Sequence, residues 1–342
     1  MNPIAVYTGE ITLYWSGIVI TLGIAAGLAL TLTLYPTDYR HNTAVWVMFP
    51  LALLFSVVFA RAIHWYCHIE YYESFRSALT DFSTGSFCIP GVLLGTWLAA
   101  LLVRLMHLTD NTGKLLDAAA PGMALILAIV RLSALFNASC RGKIVIEKAA
   151  FQRLPFAAAL TDSAGNVGYR FATFFVEFLL LLVVMIILLI FFLNHRNDKL
   201  RGTRSRGGEV ARWFLVLYGV VEVIMDSTRY DSHLMHFTLI KKLNPYACFI
   251  SVGQVFAAIT ILCVLIHYLK LSVRSRGWRW YHIVLLLVYV GTLLGAGYWG
   301  EYMVQRTGLY VRCYTIQGIS LLVMVLVVLI LYRTCLARRR RA

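Results

Sequence analysis

The sequence predicts an all-α membrane protein, a polytopic helical bundle of about nine transmembrane helices. Three observations carry that expectation. Of the 342 residues, 60% are hydrophobic and only 14% charged, and the mean hydropathy is +0.74, far above what a soluble domain tolerates. About nine apolar stretches approach the roughly 20 residues that a helix needs to cross a hydrocarbon core. Between them the basic residues collect in short clusters, the pattern produced when Lys and Arg are retained in cytoplasmic loops.

In chain order the stretches lie near Tyr14 to Leu34, Thr43 to Trp65, Phe87 to Met106, Leu116 to Phe136 and Phe171 to Leu193, then Ala211 to Met225, Phe249 to Leu269, Tyr281 to Tyr298 and Ile316 to Tyr332. The strongest basic clusters are Arg196, Lys199, Arg201, Arg204 and Arg206, then Lys270, Arg274, Arg276 and Arg279, then Arg338 to Arg341. All three fall on one side if the N-terminus is outside and the C-terminus cytoplasmic, so helix parity and charge bias agree. On the outer side, Glu70, Glu73 and Asp81 follow the second helix, and two longer segments, Asn137 to Arg170 and Asp226 to Cys248, have the length of functional connections.

The net charge of +15 would suit a nucleic-acid partner in a soluble protein, but its distribution between apolar runs assigns it to topology, and no nucleic acid is expected. The seven cysteines form no C-x-x-C pair and no zinc-type spacing, and read mostly as small buried apolar residues. Glu10 stands where a signal peptide would carry positive charge, so the first apolar segment is expected to stay in the membrane. Neither a glycine-rich phosphate loop, nor a G-x-S-x-G elbow, nor H-E-x-x-H occurs, and no metal or cofactor is expected. His64 and His68 stand at i, i+4, a metal-ligand spacing, but among Trp65, Tyr66, Tyr71 and Tyr72 they fit an interfacial aromatic belt equally well; His233 and His236 are a weaker pair.

A charged side chain at helix-centre depth costs at least about 2.5 to 3.5 kcal/mol, so each one needs a partner or an aqueous cavity and marks a candidate site. The candidates are Arg61 in the second helix, Arg131 in the fourth, Glu177 in the fifth, and Glu222, Asp226 and Arg229 through the end of the sixth. The last three are spaced i, i+4, i+7 and share one face if the helix continues that far. Arg61 and Arg131 offer planar forks to a phosphate, which suits a phospholipid head group. Pairing that merely fixes helix packing is the competing reading for the whole set. Arg104 and His107, near the predicted inner boundary, are expected to snorkel to the head groups.

Taken in order, these segments resemble the bacterial phosphatidylglycerol:prolipoprotein diacylglyceryl transferases over roughly Thr12 to Leu269. LYWSGIVITLG is similar to the family's H-W-Y-G-rich first helix, FARAIHWYCHIEYY to G-G-R-x-x-Y-V-x-F, with Arg61 in the arginine position, and GSFCIPGVLLG to G-G-M-S-x-H-G-G-L-x-G. DAAAPGMALILAIVRLSALFNASCRG resembles D-x-x-A-P followed by G-R-x-G-N-F-x-N-x-E and keeps Asp117, Pro121, Arg131 and Asn137. YRFATFFVEFLL resembles R-H-P-x-Q-L-Y-E through Arg170 and Glu177. WFLVLYGVVEVIMDSTRYD resembles Y-G-x-x-R-F-x-x-E-F-x-R-x-D through Tyr218, Gly219, Arg229 and Asp231, with Asp226 in the glutamate position, and FISVGQVF resembles S-M-G-Q through Ser251, Gly253 and Gln254.

The resemblance implies a domain over residues 1–270, with 271–342 adding two C-terminal helices and a basic tail, in a bacterial inner membrane. It implies that the diacylglyceryl group of phosphatidylglycerol moves to the cysteine thiol of a prolipoprotein signal peptide while glycerol phosphate leaves. Arg131, Arg229 and Asp226 would then be catalytic, and Arg61, Asn137, Glu177, Glu222 and Gln254 would contact substrate. The sequence departs from the family pattern at Pro90, Phe171, Ala134, Ser139 and Ser16, and Glu222 reverses the charge of an arginine. Loss of a general base typically slows a reaction about 10²- to 10⁴-fold, so a catalytically impaired paralogue that binds phospholipid or lipoprotein is the alternative.

Overall fold

The computed structural model describes residues 3–9, 12–35, 39–69, 72, 74–80, 88–136, 141–161, 167–200, 207–230 and 250–339. Asn137, Ser139, Asp231, His233, His236, Glu70, Glu73, Asp81, the basic run Arg201 to Arg206 and the terminal Arg340 and Arg341 lie outside the described residues. The elements are β1 (Ile4–Tyr7), β2 (Thr12–Tyr14), α1 (Trp15–Leu34), α2 (Tyr39–Cys67), α3 (Phe75–Thr80), α4 (Ile89–Leu105), α5 (Thr112–Leu132), α6 (Ala149–Gln152), β3 (Ala157–Thr161), β4 (Val167–Phe171), α7 (Thr173–Leu200), α8 (Glu209–Thr228), α9 (Val252–Arg276), α10 (Trp280–Gly297), α11 (Val304–Thr307) and α12 (Tyr310–Arg339).

Among the described residues, seven helices are long and apolar enough to cross a membrane. They correspond to seven of the expected spans. The third span appears as α4, 17 residues long, and the sixth as α8, whose Glu209, Arg212, Glu222 and Asp226 lower its apolar character. The eighth is longer than expected, because α10 continues through a π turn at Tyr298–Met303 to Thr307.

The chain divides into two compact units, Met1–Phe214 with Thr228–Thr238, and Leu215–Ser227 with Leu239–Ala342. In the first, helices approach through small residues. A Cβ added at Gly91 or Gly95 would run into the α2 backbone at Phe59 and Ala60 or at Phe55 and Ser56, and the Ser56 hydroxyl donates to the Val92 carbonyl at 3.1 Å. These pairings run α2 and α4 antiparallel. Gly27 of α1 and Gly122 of α5 touch in the same way. Lipid tails are as apolar as leucine, so the helices associate by close packing and interhelical hydrogen bonds, which glycine at this spacing permits.

Among its described residues, the long segment expected between the fourth and fifth spans holds the short α6 and a pair of strands. β3 and β4 pair antiparallel from Ala157↔Phe171 to Thr161↔Val167, and the other edge of β4 binds the chain at 142–146: Gly142 N donates to Phe171 O at 2.7 Å, Phe171 N to Ile144 O at 2.9 Å and Ile146 N to Tyr169 O at 2.9 Å. Phe171 therefore ends a strand, where the sequence predicts the start of a helix; α7 begins at Thr173.

In the second unit, α9 opens with a reciprocal cap, Ser251 Oγ accepting from Gln254 N at 3.1 Å and Gln254 Oε1 accepting from Ser251 N at 2.9 Å. Near its other end a directed chain of hydrogen bonds ties three helices. Arg279 N donates to His282 Nδ1 at 3.2 Å, so the Nε2–H is the donor to Ser272 Oγ at 3.0 Å. Ser272 then donates to Thr334 Oγ1 at 3.1 Å, whose own hydrogen goes to the Leu331 carbonyl at 2.7 Å. His282 and Ser272 are fully buried, and every donor in the chain has an acceptor.

Replacing Gly95 by Leu should lower the melting temperature of the detergent-solubilised protein markedly, since overpacking typically costs about 1–3 kcal/mol or more. Gly17→Leu, at a position with nothing within 4 Å, should leave it unchanged. Equal melting curves for the two variants would show that close α2–α4 approach is not what holds the first unit.

Candidate functional site

Of the expected site residues, Arg131 and Glu177 come together in the first unit and Glu222, Asp226 and Gln254 in the second, while Asn137 lies outside the described residues. In the first unit Arg131 ends α5 and Glu177 lies early in α7; Nε of the guanidinium is 2.6 Å from Glu177 Oε1, with the two side chains 9% and 1% exposed. Each ion supplies what the other needs in a low-dielectric setting, and the carboxylate fixes the plane of the guanidinium fork. Arg61, on α2, is 1% exposed. Asp117, retained from the family pattern, lies in the second turn of α5 and accepts from Gly208 N at 2.6 Å and Ala211 N at 2.9 Å. Its charge therefore caps the start of α8, a structural use well matched to the positive end of a helix dipole.

The extended chain at 141–146 holds further cations. The Arg141 guanidinium lies 4.8 Å from the Phe174 ring centroid and that of Arg170 lies 4.5 Å from the Tyr230 ring, with Arg170 Nη1 donating to the Gly142 carbonyl at 3.4 Å. Lys143 N donates to Thr228 O and Tyr230 N to Arg141 O, both at 2.7 Å, and Arg229 forms a β-bridge with Gly142. The helical face expected through Glu222, Asp226 and Arg229 thus stops short of Arg229. α8 ends at Thr228, and backbone pairing with residues 141–143 draws the chain into an extended path.

In the second unit Glu222 and Asp226 come together around Gly253. A Cβ there would lie 2.9 Å from both Glu222 Oε1 and Asp226 Oδ2. Glu222 Oε2 accepts from the Tyr218 hydroxyl at 2.8 Å, and Asp226 Oδ2 from the Ser251 hydroxyl at 2.6 Å. Gln254 Nε2 donates to Glu301 Oε1 at 2.7 Å and to Ser227 Oγ at 2.9 Å. Ser227 is the node of the group: its hydroxyl donates to Val223 O at 2.9 Å and accepts from Gln317 Nε2 at 2.8 Å, while its carbonyl accepts from the Tyr314 hydroxyl at 2.9 Å. Glu222, Asp226, Gln254, Glu301 and Gln317 are all buried.

Glu301, Gln317, Tyr314 and Ser227 are absent from the expected set. Glu301 falls between the eighth and ninth expected spans, but it sits in the π turn that continues α10. Extending the eighth span to Thr307 would have exposed it as an intramembrane carboxylate. The other three carry no charge, and a search for ionisable residues passes over them.

Against known proteins, the chain matches the profile of the family described as prolipoprotein diacylglyceryl transferase over residues 3–270. It belongs to that family. A phosphatidylglycerol–prolipoprotein diacylglyceryl transferase of Limosilactobacillus reuteri (strain DSM 20016) is 24% identical over 257 residues, 73% of this chain and 88% of the relative. One from Clostridium novyi (strain NT) is 32% identical over 148 residues, 42% of this chain and 56% of the relative. One from Streptococcus equi subsp. zooepidemicus (strain MGCS10565) is 25% identical over 241 residues, 69% and 86%.

With the seven apolar spans, family membership makes the chain a multi-pass bacterial membrane protein. The family match ends inside α9, so Glu301, Tyr314 and Gln317, which complete the buried group around Ser227 and Gln254, come from sequence beyond it. Of the departures from the family pattern, Pro90 is buried in the first turn of α4 and Ala134 is buried in the 3-10 turn after α5.

Removing one partner of the Arg131–Glu177 pair leaves a buried charge uncompensated. Glu177→Ala should therefore destabilise the protein by about 3–5 kcal/mol, and the double variant Arg131→Met, Glu177→Leu should recover most of the loss in thermal unfolding. Gly253→Ala should be disruptive through the two carboxylates it meets, more so than Gly168→Ala, whose nearest neighbour is at 3.9 Å.

Proposed function

We propose that this chain transfers the diacylglyceryl group of phosphatidylglycerol to the cysteine thiol of a prolipoprotein signal peptide. The observation that carries the reading is the Arg131–Glu177 pair, which presents an oriented guanidinium in a chain that matches the family over residues 3–270. In this reaction a sulfur–carbon bond forms at the glycerol carbon and the carbon–oxygen bond to phosphate breaks. The electron pair leaves on the phosphate oxygen, and the charge that develops there needs preorganised donors. Arg131 and Arg229 are assigned to that charge. Arg61 and Asn137 contact the head group, and Glu177 holds Arg131 in orientation.

Asp226, Glu222 and Gln254 make the second polar group, for which the family pattern supplies a catalytic role at Asp226 and substrate contact at Glu222 and Gln254. Residues 1–270 form the transferase domain and 271–342 an addition to it. The basic clusters support an outside N-terminus and a cytoplasmic C-terminus in the inner membrane. A second reading rests on a specific observation: Glu222, a carboxylate in place of a family arginine, lies with Asp226 around Gly253, and its negative charge would repel a phosphodiester. Under it the chain binds phospholipid or lipoprotein without turnover.

Purified protein in vesicles with head-group-labelled phosphatidylglycerol and a lipobox peptide tests the two readings. Release of glycerol phosphate with peptide lipidation, reduced at least about 10²-fold by Arg131→Ala, supports the transferase. Retained lipid binding with neither product supports the binding paralogue.

A further inference from the structure

The transfer has two substrates, a phospholipid and a polypeptide, and the arginines assigned above serve the phosphate. A polypeptide in extended form is held well by an open sheet edge, which offers a row of N–H and C=O groups to an added strand. The first unit has such an edge beside the Arg131–Glu177 pair.

β4 lies between β3 and the chain at 142–146. Tyr169 and Phe171 turn their backbone groups to that chain, in the bonds given above. The alternate residues Gly168, Arg170 and Ala172 turn theirs the other way, and Ala172 N donates to Phe156 O, just before β3, at 2.7 Å. The positions bonded to β4 are therefore Phe156, Ala158 and Leu160, while Ala157, Ala159 and Thr161 direct their backbone groups away from it. Ala157 N is used locally, donating to Leu154 O at 3.0 Å. Ala159 is exposed, and among the described residues neither its N–H nor its C=O has a partner. Edge strands are commonly blunted by a charge, a proline or a bulge. β3, of sequence AAALT and in unbroken register with β4, has none of these, and its small side chains let another backbone come close.

The inner face of the same strand ties it to the candidate site. Ala158 is buried in a cluster with Ala134, Ala172 and Phe174. Ala134 lies three residues beyond Arg131 and Phe174 three before Glu177, so β3 packs on the ends of α5 and α7 within about one helical turn of the pair. We propose that the open edge of β3 is the docking strand for the acceptor polypeptide. The extended segment around the acceptor cysteine of a prolipoprotein signal peptide adds to the sheet there, through main-chain hydrogen bonds at Ala157 O, Ala159 N and O, and Thr161 N. The inference rests on the transferase reading for the identity of the acceptor. An added strand places alternate side chains on the face that Ala158 occupies, so a cysteine in that register is turned toward the ends of α5 and α7.

The test uses the full chain in vesicles containing phosphatidylglycerol with a fluorescent lipobox peptide, and reads peptide Kd, peptide KM and lipidation separately. A set of peptides, each N-methylated at one backbone position around the cysteine, probes the wild-type protein. Methylation should weaken binding about tenfold at alternate residues and little at the residues between them. Ala159→Pro removes the outward N–H and keeps the bonds to β4, and proline is tolerated at such edge positions. It should raise Kd and KM of the unmethylated peptide about tenfold, with the melting temperature and phosphatidylglycerol binding close to wild type. Lipidation by wild type that shows no alternation among the peptides and is unmoved by Ala159→Pro overturns the docking strand and leaves the transferase reading standing. Alternating peptide binding without product keeps the docking strand and overturns the transferase reading. A wild type that neither binds nor lipidates the peptide overturns both. Should Ala159→Pro fail to fold, the methylated peptides decide.

Discussion

A guanidinium and a carboxylate 2.6 Å apart inside a bundle of apolar helices are the constraint around which the first unit is arranged. Neither ion is tolerable alone at that depth, so α5 and α7 must meet at Arg131 and Glu177. α5 is also the helix that Gly27 approaches from α1, and its Asp117 anchors the start of α8. One helix thus carries a pair that orients a cation, a glycine that admits a close neighbour, and a carboxylate that satisfies the free N–H groups of another helix end.

In the second unit the buried carboxylates are met by hydroxyl and amide donors. Glu222 and Asp226 take hydrogens from Tyr218 and Ser251, and Glu301 from Gln254. Ser227 uses its hydroxyl hydrogen and accepts from two amides, and its carbonyl takes a tyrosine hydrogen. Such a network specifies a single packing, because loss of any one member strands a polar atom away from water. Gly253 is required by the two carboxylate oxygens that a Cβ would meet, and a tight turn has no part in it.

The helices beyond the family match are therefore more than an anchor within their unit. The π turn at Tyr298–Met303 places Glu301 against Gln254, and α12 contributes Tyr314 and Gln317. A π turn locally displaces the helix register by a residue, and such turns are frequent where a side chain must be aimed.

Sequence alone determined the class of fold, the places of the seven apolar spans found among the described residues and the identity of the charged residues that need partners. Hydropathy, span length and the energetic penalty of an intramembrane charge are local quantities that need no neighbours to evaluate. Family order along the chain added Gln254 as a place of interest. Tertiary structure decided the rest. It chose Glu177 as the partner of Arg131, gave Asp117 to the start of α8, and ended α8 at Thr228, so that Arg229 left the helical face that its spacing suggested. It turned the approach to α7 into a strand ending at Phe171, and brought Glu301 and Gln317 into a group with Ser227 and Gln254. Each of these depends on hydrogen-bond partners from distant parts of the chain, and periodicity along one segment carries no information about which neighbour will supply them.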